Sequence, residues 1–121
     1  MKIALLGYGK MGKTIERIAL ERGHEIVLRV DAPGEYDLSV AQVAIEFSTP
    51  QSAFANISKA LSAGIPTIAG TTGWLENYPK AEALCRVHDT AFLYASNFSI
   101  GVNVFFEINK VLAKLMQKYP Q

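Results

Sequence analysis

The sequence of 121 residues has little cysteine, no excess of charge and no long apolar run. Its one cysteine, Cys85, excludes an internal disulfide and indicates a reducing compartment. Twelve Lys and Arg against eleven Asp and Glu give a formal net charge of +1, which does not support a nucleic acid or a membrane surface as a partner. No apolar run approaches the roughly 20 residues of a membrane span. We therefore predict a cytoplasmic protein with neither kind of partner.

Residue groups with catalytic or metal-binding spacing are also missing. The two histidines, His24 and His88, each stand next to turn residues. No His, Cys and Asp group has the spacing of metal ligands, and no nucleophile stands next to a base. The sequence therefore predicts no metal site and no catalytic residue in this chain.

What the sequence does contain is an alternation of apolar runs and helical patterns, sufficient for one domain over residues 1–121. The runs are continuous rather than alternating, as is typical of strands covered on both faces. This order predicts an α/β fold, a doubly wound parallel sheet of about five strands with flanking helices. The predicted strands are 2–6, 25–30, 43–47, 66–70 and 91–95. The first predicted helix runs from the glycine motif to Gly23, and the other predicted helices span 48–64, 75–88 and 102–118.

Helical spacing also predicts which apolar side chains face a neighbour. Leu84 and Val87 are spaced for burial in the third helix. In the last helix Val104, Ile108 and Val111 begin one apolar stripe, which Leu115 continues.

The first strand is followed by GYGKMG, residues 7–12, a GxGxxG pattern that opens a helix. In a Rossmann-like fold Gly7 permits the tight turn and Gly9 lets a pyrophosphate approach the backbone. Gly12 lets the helix pack close to the strand. The context favours dinucleotide binding over the alternative, a glycine-rich turn in another α/β protein.

An acidic residue at the end of the second strand strengthens this interpretation. Asp31 follows Gly12 by 19 positions, close to the roughly 20 expected of the carboxylate that binds the adenosine ribose. A carboxylate there repels a 2′-phosphate, and Ala32 supplies no cation, so NADH is favoured. Lys10, inside the glycine loop, could still reach a phosphate, so NADPH is not excluded. The alternative role for Asp31 is that of an acid that caps a turn.

Three further segments follow strands, where ligands bind in an open parallel sheet. They are 47–50 (FSTP), 70–73 (GTTG) and 97–101 (NFSIG), each rich in small or polar residues. For Ser48 and Thr49, capping of the next helix is as good an explanation as ligand contact.

GYGKMG, EFSTP, AGTTGW and SNFSIGVNV occur in this order, and together they resemble the N-terminal part of dihydrodipicolinate reductase, an enzyme of the diaminopimelate route to lysine. The resemblance implies a domain that binds NADH and/or NADPH, with a bridging helix at its end. It also implies hydride transfer to a small cyclic dicarboxylate and a homotetrameric full-length enzyme.

The resemblance also implies roles for individual residues. The glycine motif would hold the pyrophosphate and Asp31 the adenosine ribose, while Thr72 would also face the substrate. Gly101 and Asn103 would mark the hinge toward a second domain. The implied cofactor residues are Gly7, Gly9, Lys10, Met11, Gly12, Asp31, Phe47, Ser48, Gly70, Thr71, Thr72, Asn97 and Phe98.

The chain departs from the family in one large respect. Members continue into a second domain with a paired-histidine motif, a proton-donating lysine and a Pro-Ser-Gly-Thr loop, none of which follows here. We therefore expect a cofactor-binding half without turnover of its own, whose last helix leaves apolar surface for self-association or swapping. The alternatives are a stand-alone Rossmann nucleotide-binding or redox-sensing module and another two-domain dehydrogenase.

Overall fold

The structure, a computed structural model, describes residues 1–32 and 34–119. The strands are β1 (Lys2–Leu6), β2 (Glu25–Val30), β3 (Val43–Glu46), β4 (Thr67–Ala69) and β5 (Phe92–Tyr94). The helices are α1 (Lys10–Glu21), α2 (Pro50–Ser62), α3 (Tyr78–Val87) and α4 (Ile100–Met116), and a 3-10 turn, Leu75–Asn77, precedes α3. Each predicted strand and helix is present, with ends that differ by a few residues.

The five strands form one parallel sheet in the order β2-β1-β3-β4-β5. The chain moves from β1 to β2 on one side and then crosses to β3 on the other side of β1. The carboxyl ends of β1 and β3 are therefore the point where the strand order reverses, which is where open α/β sheets bind ligands. The predicted doubly wound parallel sheet is confirmed.

Both faces of strand β1 are packed, which explains why it is a continuous apolar run. In β1, Ile3 and Leu5 pack with Ala19 of α1 on one face. Ala4 and Leu6 point to the opposite face, where α2 and α3 form a second cluster around Trp74. Alternate side chains of one strand thus enter different cores.

Helix ends follow the expected local chemistry. Gly23 and Gly64 follow α1 and α2 with φ of 75° and 71°, a left-handed conformation that glycine adopts without steric cost. Pro50 occupies the first turn of α2, where its missing N–H removes no helical hydrogen bond.

One burial prediction is wrong. Val87 is 76% exposed, because it is the last residue of α3 and lies beyond the side chains that pack on the sheet. Leu84, one turn earlier, is partly buried against the Trp74 cluster, as predicted.

The last helix differs from the others because none of its side chains is buried. The predicted apolar stripe is present but faces solvent, with Val104, Ile108 and Val111 each more than half exposed. No helix in the described part of the chain is long and apolar enough to cross a membrane.

Candidate functional site

Three adjoining cavities lie along the carboxyl edge of the sheet, and Phe47 lines all three. The switch-point cavity, about 430 Å³, is lined by Gly7, Asp31 and Ser48 among others. The middle cavity, about 380 Å³, is lined by Lys10, Thr71 and Thr72. It shares Gly9 and Ser48 with the switch-point cavity and Met11 and Gly70 with the outer cavity. The outer cavity, about 530 Å³, is lined by Met11, Gly70, Asn97 and Phe98. Every predicted site residue except Gly12 lines one of them.

Gly7 brings the loops after β1 and β3 into contact. Its φ is +106°, and a Cβ added to it would lie 2.0 Å from the carbonyl oxygen of Phe47. A Cβ on Gly12 would lie 2.3 Å from the carbonyl oxygen of Gly7. Gly12 therefore allows the close approach of helix and strand that the motif predicts, although it lines no cavity.

Gly9 is different, because a Cβ there would meet nothing within 4 Å. It is the N-cap of α1, and no side chain of the described residues bonds the N–H groups of that cap. These unpaired N–H groups and the helix dipole favour an anion. The motif thus leaves open space where its backbone can reach a phosphate.

A second helix begins beside the same cavities. Thr49 is the N-cap of α2 and makes no side-chain hydrogen bond to the backbone of the first turn. Its hydroxyl lies 3.2 Å from the hydroxyl of Ser52, and both residues line the switch-point cavity. The capping role weighed for Thr49 is met in position but not in side-chain bonding, because its hydroxyl donates to Ser52 instead.

Asp31 and Ala32 lie at the carboxyl end of β2 and are both exposed at the rim of the switch-point cavity. The structure thus brings Asp31 to the same cavity as Gly7 and Gly9. A carboxylate in this position can accept hydrogen bonds from two vicinal hydroxyls.

Beneath the loops lies a buried carboxyl group that the sequence argument missed. Glu46, the last residue of β3, is fully buried, and its Oε1 accepts hydrogen bonds from the Ser48 N–H at 3.0 Å, the Ser48 hydroxyl and the Thr71 hydroxyl at 3.0 Å. Its Oε2 has no hydrogen-bond partner among the described residues. Burial raises the pKa of Glu46, against the lowering effect of those hydrogen bonds.

The hydrogen-bond network extends from Glu46 toward the switch-point cavity. The side-chain amide of Asn56 donates from its Nδ2 to the Ser48 hydroxyl at 3.3 Å, and the Tyr36 hydroxyl donates to the side-chain Oδ1 of Asn56 at 2.9 Å. Burial also raises the pKa of Tyr36, so its hydroxyl stays a donor at neutral pH. The network fixes the loop after β3, and Thr71 uses its hydroxyl within it rather than toward the middle cavity.

Two aromatic rings line the outer cavity. The Phe47 ring lies so close to Gly70 that a Cβ there would be 2.1 Å from a ring carbon. The Phe98 ring centre is 6.2 Å from that of Phe47, with the planes inclined at 58°. Two rings around an apolar space suit a flat ring of a ligand.

The polar residues of the segment after β5 are used mainly within their own turn. The Asn97 side-chain oxygen accepts from the Ser99 N–H at 2.7 Å, and the Ser99 hydroxyl caps α4 by accepting from Val102 N–H at 3.4 Å. The Asn103 amide donates to the carbonyl oxygens of Asn97 and Ser99 at 3.1 and 2.9 Å. These bonds stabilise the turn that precedes α4, in which Phe98 lies at the outer cavity.

Several residues near the site carried only a weak signal in the sequence. Glu46 is a charged residue in an apolar strand, and that contrast could have identified it. Glu16 and Arg29 lie in patterns typical of solvated helix and strand faces, so nothing local distinguished them. Among the described residues, no group of three or more His, Cys, Asp and Glu could hold a metal ion.

Comparison with known proteins gives a consistent answer. A family model described as "Dihydrodipicolinate reductase, N-terminus" matches residues 1–98. The 4-hydroxy-tetrahydrodipicolinate reductase of Christiangramia forsetii is 54% identical over 120 residues, which cover 97% of this chain and 50% of that protein. The Staphylococcus haemolyticus enzyme is 31% identical, covering 98% and 53%. The chain spans about half the length of these relatives.

Solved structures support the fold. A hyperthermophilic archaeal homoserine dehydrogenase in complex with NADPH superposes with a TM-score of 0.60 at 12% identity, covering 77% of this chain and 43% of that one. Aspartate semialdehyde dehydrogenase II from Vibrio cholerae gives 0.54 at 18% identity, covering 76% and 37%. At these identities the likeness concerns the fold alone, a Rossmann-like sheet shared with dehydrogenases. The resemblance expected from the four sequence motifs is confirmed by the family match, and the chain belongs to the dihydrodipicolinate reductase family, whose N-terminal part it matches.

Proposed function

We propose that residues 1–121 are the dinucleotide-binding domain of a 4-hydroxy-tetrahydrodipicolinate reductase, with NADH and/or NADPH as cofactor. The observation that carries the proposal is the junction of Gly7 with the Phe47 carbonyl at the strand-order reversal. That junction places the open N-termini of α1 and α2 beside one continuous crevice. A dinucleotide needs such an elongated site, with an anion-binding centre between two ends.

Each part of the crevice suits one part of the cofactor. The N–H groups at Gly9, Lys10 and Met11 would bind the pyrophosphate, and Asp31 would bind the adenosine ribose at the switch-point cavity. The outer cavity, with Phe47, Gly70 and Phe98, would take the nicotinamide ring. Thr72 is exposed at the middle cavity, a position suited to contact with a substrate as well as the cofactor.

When bound, the nicotinamide supplies a hydride, and the chain's own residues position it. The Phe47 and Phe98 rings, which line the outer cavity, would exclude water from one side of a bound nicotinamide. The Glu46 network joins the loops after β3 and β4 through Ser48 and Thr71.

The chemistry of the whole protein requires more than this chain. The substrate is proposed to be the cyclic dicarboxylate of the family's reaction, and reduction of a carbon–nitrogen double bond consumes a proton as well as a hydride. The family resemblance implies that this proton comes from a lysine of a second domain, and this chain spans about half the length of its relatives, so we propose that the chain by itself binds cofactor without turnover. A cytoplasmic, homotetrameric full-length enzyme follows from the family resemblance and is likewise a proposal.

Titration of the chain with NADH and NADPH tests the proposal, with nicotinamide fluorescence as the readout and circular dichroism to establish folding. We expect saturable binding of at least one of them. Asp31→Ala should weaken NADH about tenfold, through loss of the ribose hydrogen bonds, and should affect NADPH less, because the carboxylate repels a 2′-phosphate.

Glu35→Ala is the matched control, because Glu35 is an exposed carboxylate of the same loop whose partner is Lys59 at 3.3 Å. It should leave both affinities unchanged. A folded chain that binds neither nucleotide would refute the cofactor assignment, and an equal effect of Asp31→Ala on both nucleotides would make Asp31 a structural acid.

A further inference from the structure

A charged cluster adjoins the end of the crevice at which Asp31 lies. Arg29, on β2, donates to Oε1 of Glu16 from its Nε at 2.8 Å and also from a terminal nitrogen. The other oxygen of Glu16 accepts the Tyr8 hydroxyl. Glu16 therefore connects a strand, a helix and the glycine loop through one carboxylate.

The cluster is next to the crevice because Tyr8 belongs to both. Tyr8 lines the switch-point cavity together with Asp31 and Ala32, and the Arg29 guanidinium carbon lies 6.0 Å from the centre of the Tyr8 ring. Arg29 stands two residues before Asp31 on the chain, so its side chain leaves β2 close to the position proposed for the adenosine ribose.

The ionisation of the cluster agrees with this geometry. The bond from Arg29 lowers the pKa of Glu16, which therefore carries its charge at neutral pH. The bond to Glu16 raises the pKa of Tyr8, so the phenol keeps its proton. The positive charge of Arg29 is thus neutralised by the carboxylate of Glu16 within the cluster and is not directed at the cavity.

This compensation matters because arginine is the side chain best suited to a phosphate. Its planar fork can donate two hydrogen bonds to one phosphate group, and an arginine near this position commonly accommodates the 2′-phosphate of NADPH. Here the Arg29 side chain is 43% exposed while that of Glu16 is 14% exposed. The guanidinium is therefore accessible in part, but its Nε and one terminal nitrogen donate to Glu16.

We propose that Glu16 is a specificity-determining residue for the cofactor: by binding Arg29 and the Tyr8 hydroxyl, it withholds the guanidinium from a 2′-phosphate and favours NADH. This rests on the proposed function, and it adds to the repulsion from Asp31. The remaining nearby cations, Lys13 with its Nζ 5.8 Å from the Tyr8 ring centre and Lys10, keep NADPH binding possible.

The test uses ligands that isolate the adenosine end, AMP and adenosine 2′,5′-bisphosphate, with calorimetry on the full chain. Glu16→Ala should tighten the bisphosphate about five- to tenfold, the effect of one freed charge-assisted contact. AMP, which lacks the 2′-phosphate, should change less than about twofold. NADPH and NADH should show the same contrast by fluorescence.

Two variants separate release of Arg29 from general loss of negative charge. Glu21→Ala removes a carboxylate from the same helix, where it pairs with Arg17 at 2.7 Å on an exposed face, and it should leave the ratio of the two affinities unchanged. The double change Glu16→Ala with Arg29→Ala should return the bisphosphate to its wild-type affinity. An unchanged ratio in Glu16→Ala, an equal gain in Glu21→Ala, or a gain that persists in the double variant would each overturn the proposal.

The wild-type titrations separate this inference from the proposed function. If the folded wild-type chain binds AMP and NADH but Glu16→Ala does not shift the ratio, the specificity proposal fails and the cofactor proposal stands. If the folded wild-type chain binds none of these ligands, both fail.

Discussion

Gly7 and Gly9 are two residues apart, yet a side chain at each would meet different surroundings. At Gly7 it would meet the Phe47 carbonyl oxygen, in a backbone conformation with φ of +106°. At Gly9 it would enter open space. Gly7 is therefore required by the fold, whereas the packing of the fold places no such demand on Gly9.

The two alanine variants should separate these roles. Gly7→Ala should lower the free energy of unfolding by about 2–4 kcal/mol, through strain and the clash with β3's loop. Gly9→Ala should change stability by less than about 1 kcal/mol and weaken NADH about tenfold, because the new methyl group obstructs the pyrophosphate. Thermal unfolding and fluorescence titration measure the two effects, and a Gly9→Ala variant that binds NADH normally would contradict this assignment.

At the scale of the elements, β3 ends in a carboxyl group that holds two loops together. Glu46 accepts hydrogen bonds from Ser48 and Thr71, which follow β3 and β4 respectively. Because burial raises its pKa, the folded state favours the protonated form of Glu46. Its contribution to stability is therefore complete at a pH below the ordinary glutamate range and is lost as pH rises through the raised pKa.

Glu46→Gln should reduce this dependence on pH. Glutamine keeps an acceptor for Ser48 and Thr71 but does not ionise, so the variant should be more stable than wild type at pH 8, by an amount on the order of 1 kcal/mol. The advantage should shrink as pH falls toward 4. Denaturant unfolding at both pH values measures it, with the exposed Glu25→Gln on β2 as control, and a constant difference between the proteins at the two pH values would contradict the argument.

At the scale of the whole molecule, α4 presents an apolar stripe to solvent. Phe105, Ile108 and Leu112 are each more than half exposed, and no side chain of the helix is buried. A contiguous apolar surface of this kind is uncommon on monomeric proteins and favours association. The chain covers about half of its relatives' length.

We expect the isolated chain to self-associate through α4, or to exchange that helix between copies. Sedimentation velocity between about 5 and 200 µM should show species larger than the 13.2 kDa monomer. Ile108→Glu with Val111→Glu should shift the distribution to monomer, because the charges cannot be buried in an apolar contact. Val87→Glu changes an exposed apolar residue on α3 and should have no effect; a wild-type chain that stays monomeric throughout would refute the expectation.

The sequence by itself determined the elements, their parallel arrangement and the family. Strand and helix patterns depend on neighbours a few residues away, and GxGxxG, GTTG and NFSxGVN are contiguous segments, so each can be recognised locally. Gly7, Asp31, Phe47 and Gly70 each directly follow a strand. Because the carboxyl ends of parallel strands lie at one edge of the sheet, where ligands bind, their common position could be predicted.

Only the tertiary structure decided which of these groups touch and which side chains are already engaged. The contact of Gly7 with Phe47, the burial of Glu46 under Thr71, and the bonds of Glu16 to Arg29 join residues that are far apart in the chain. No local pattern carries such information, because it depends on how strands pair and helices pack. For the same reason the α4 stripe was predictable as a pattern, while its exposure was a property of the folded chain alone: a helix buries its apolar face only where another surface lies against it.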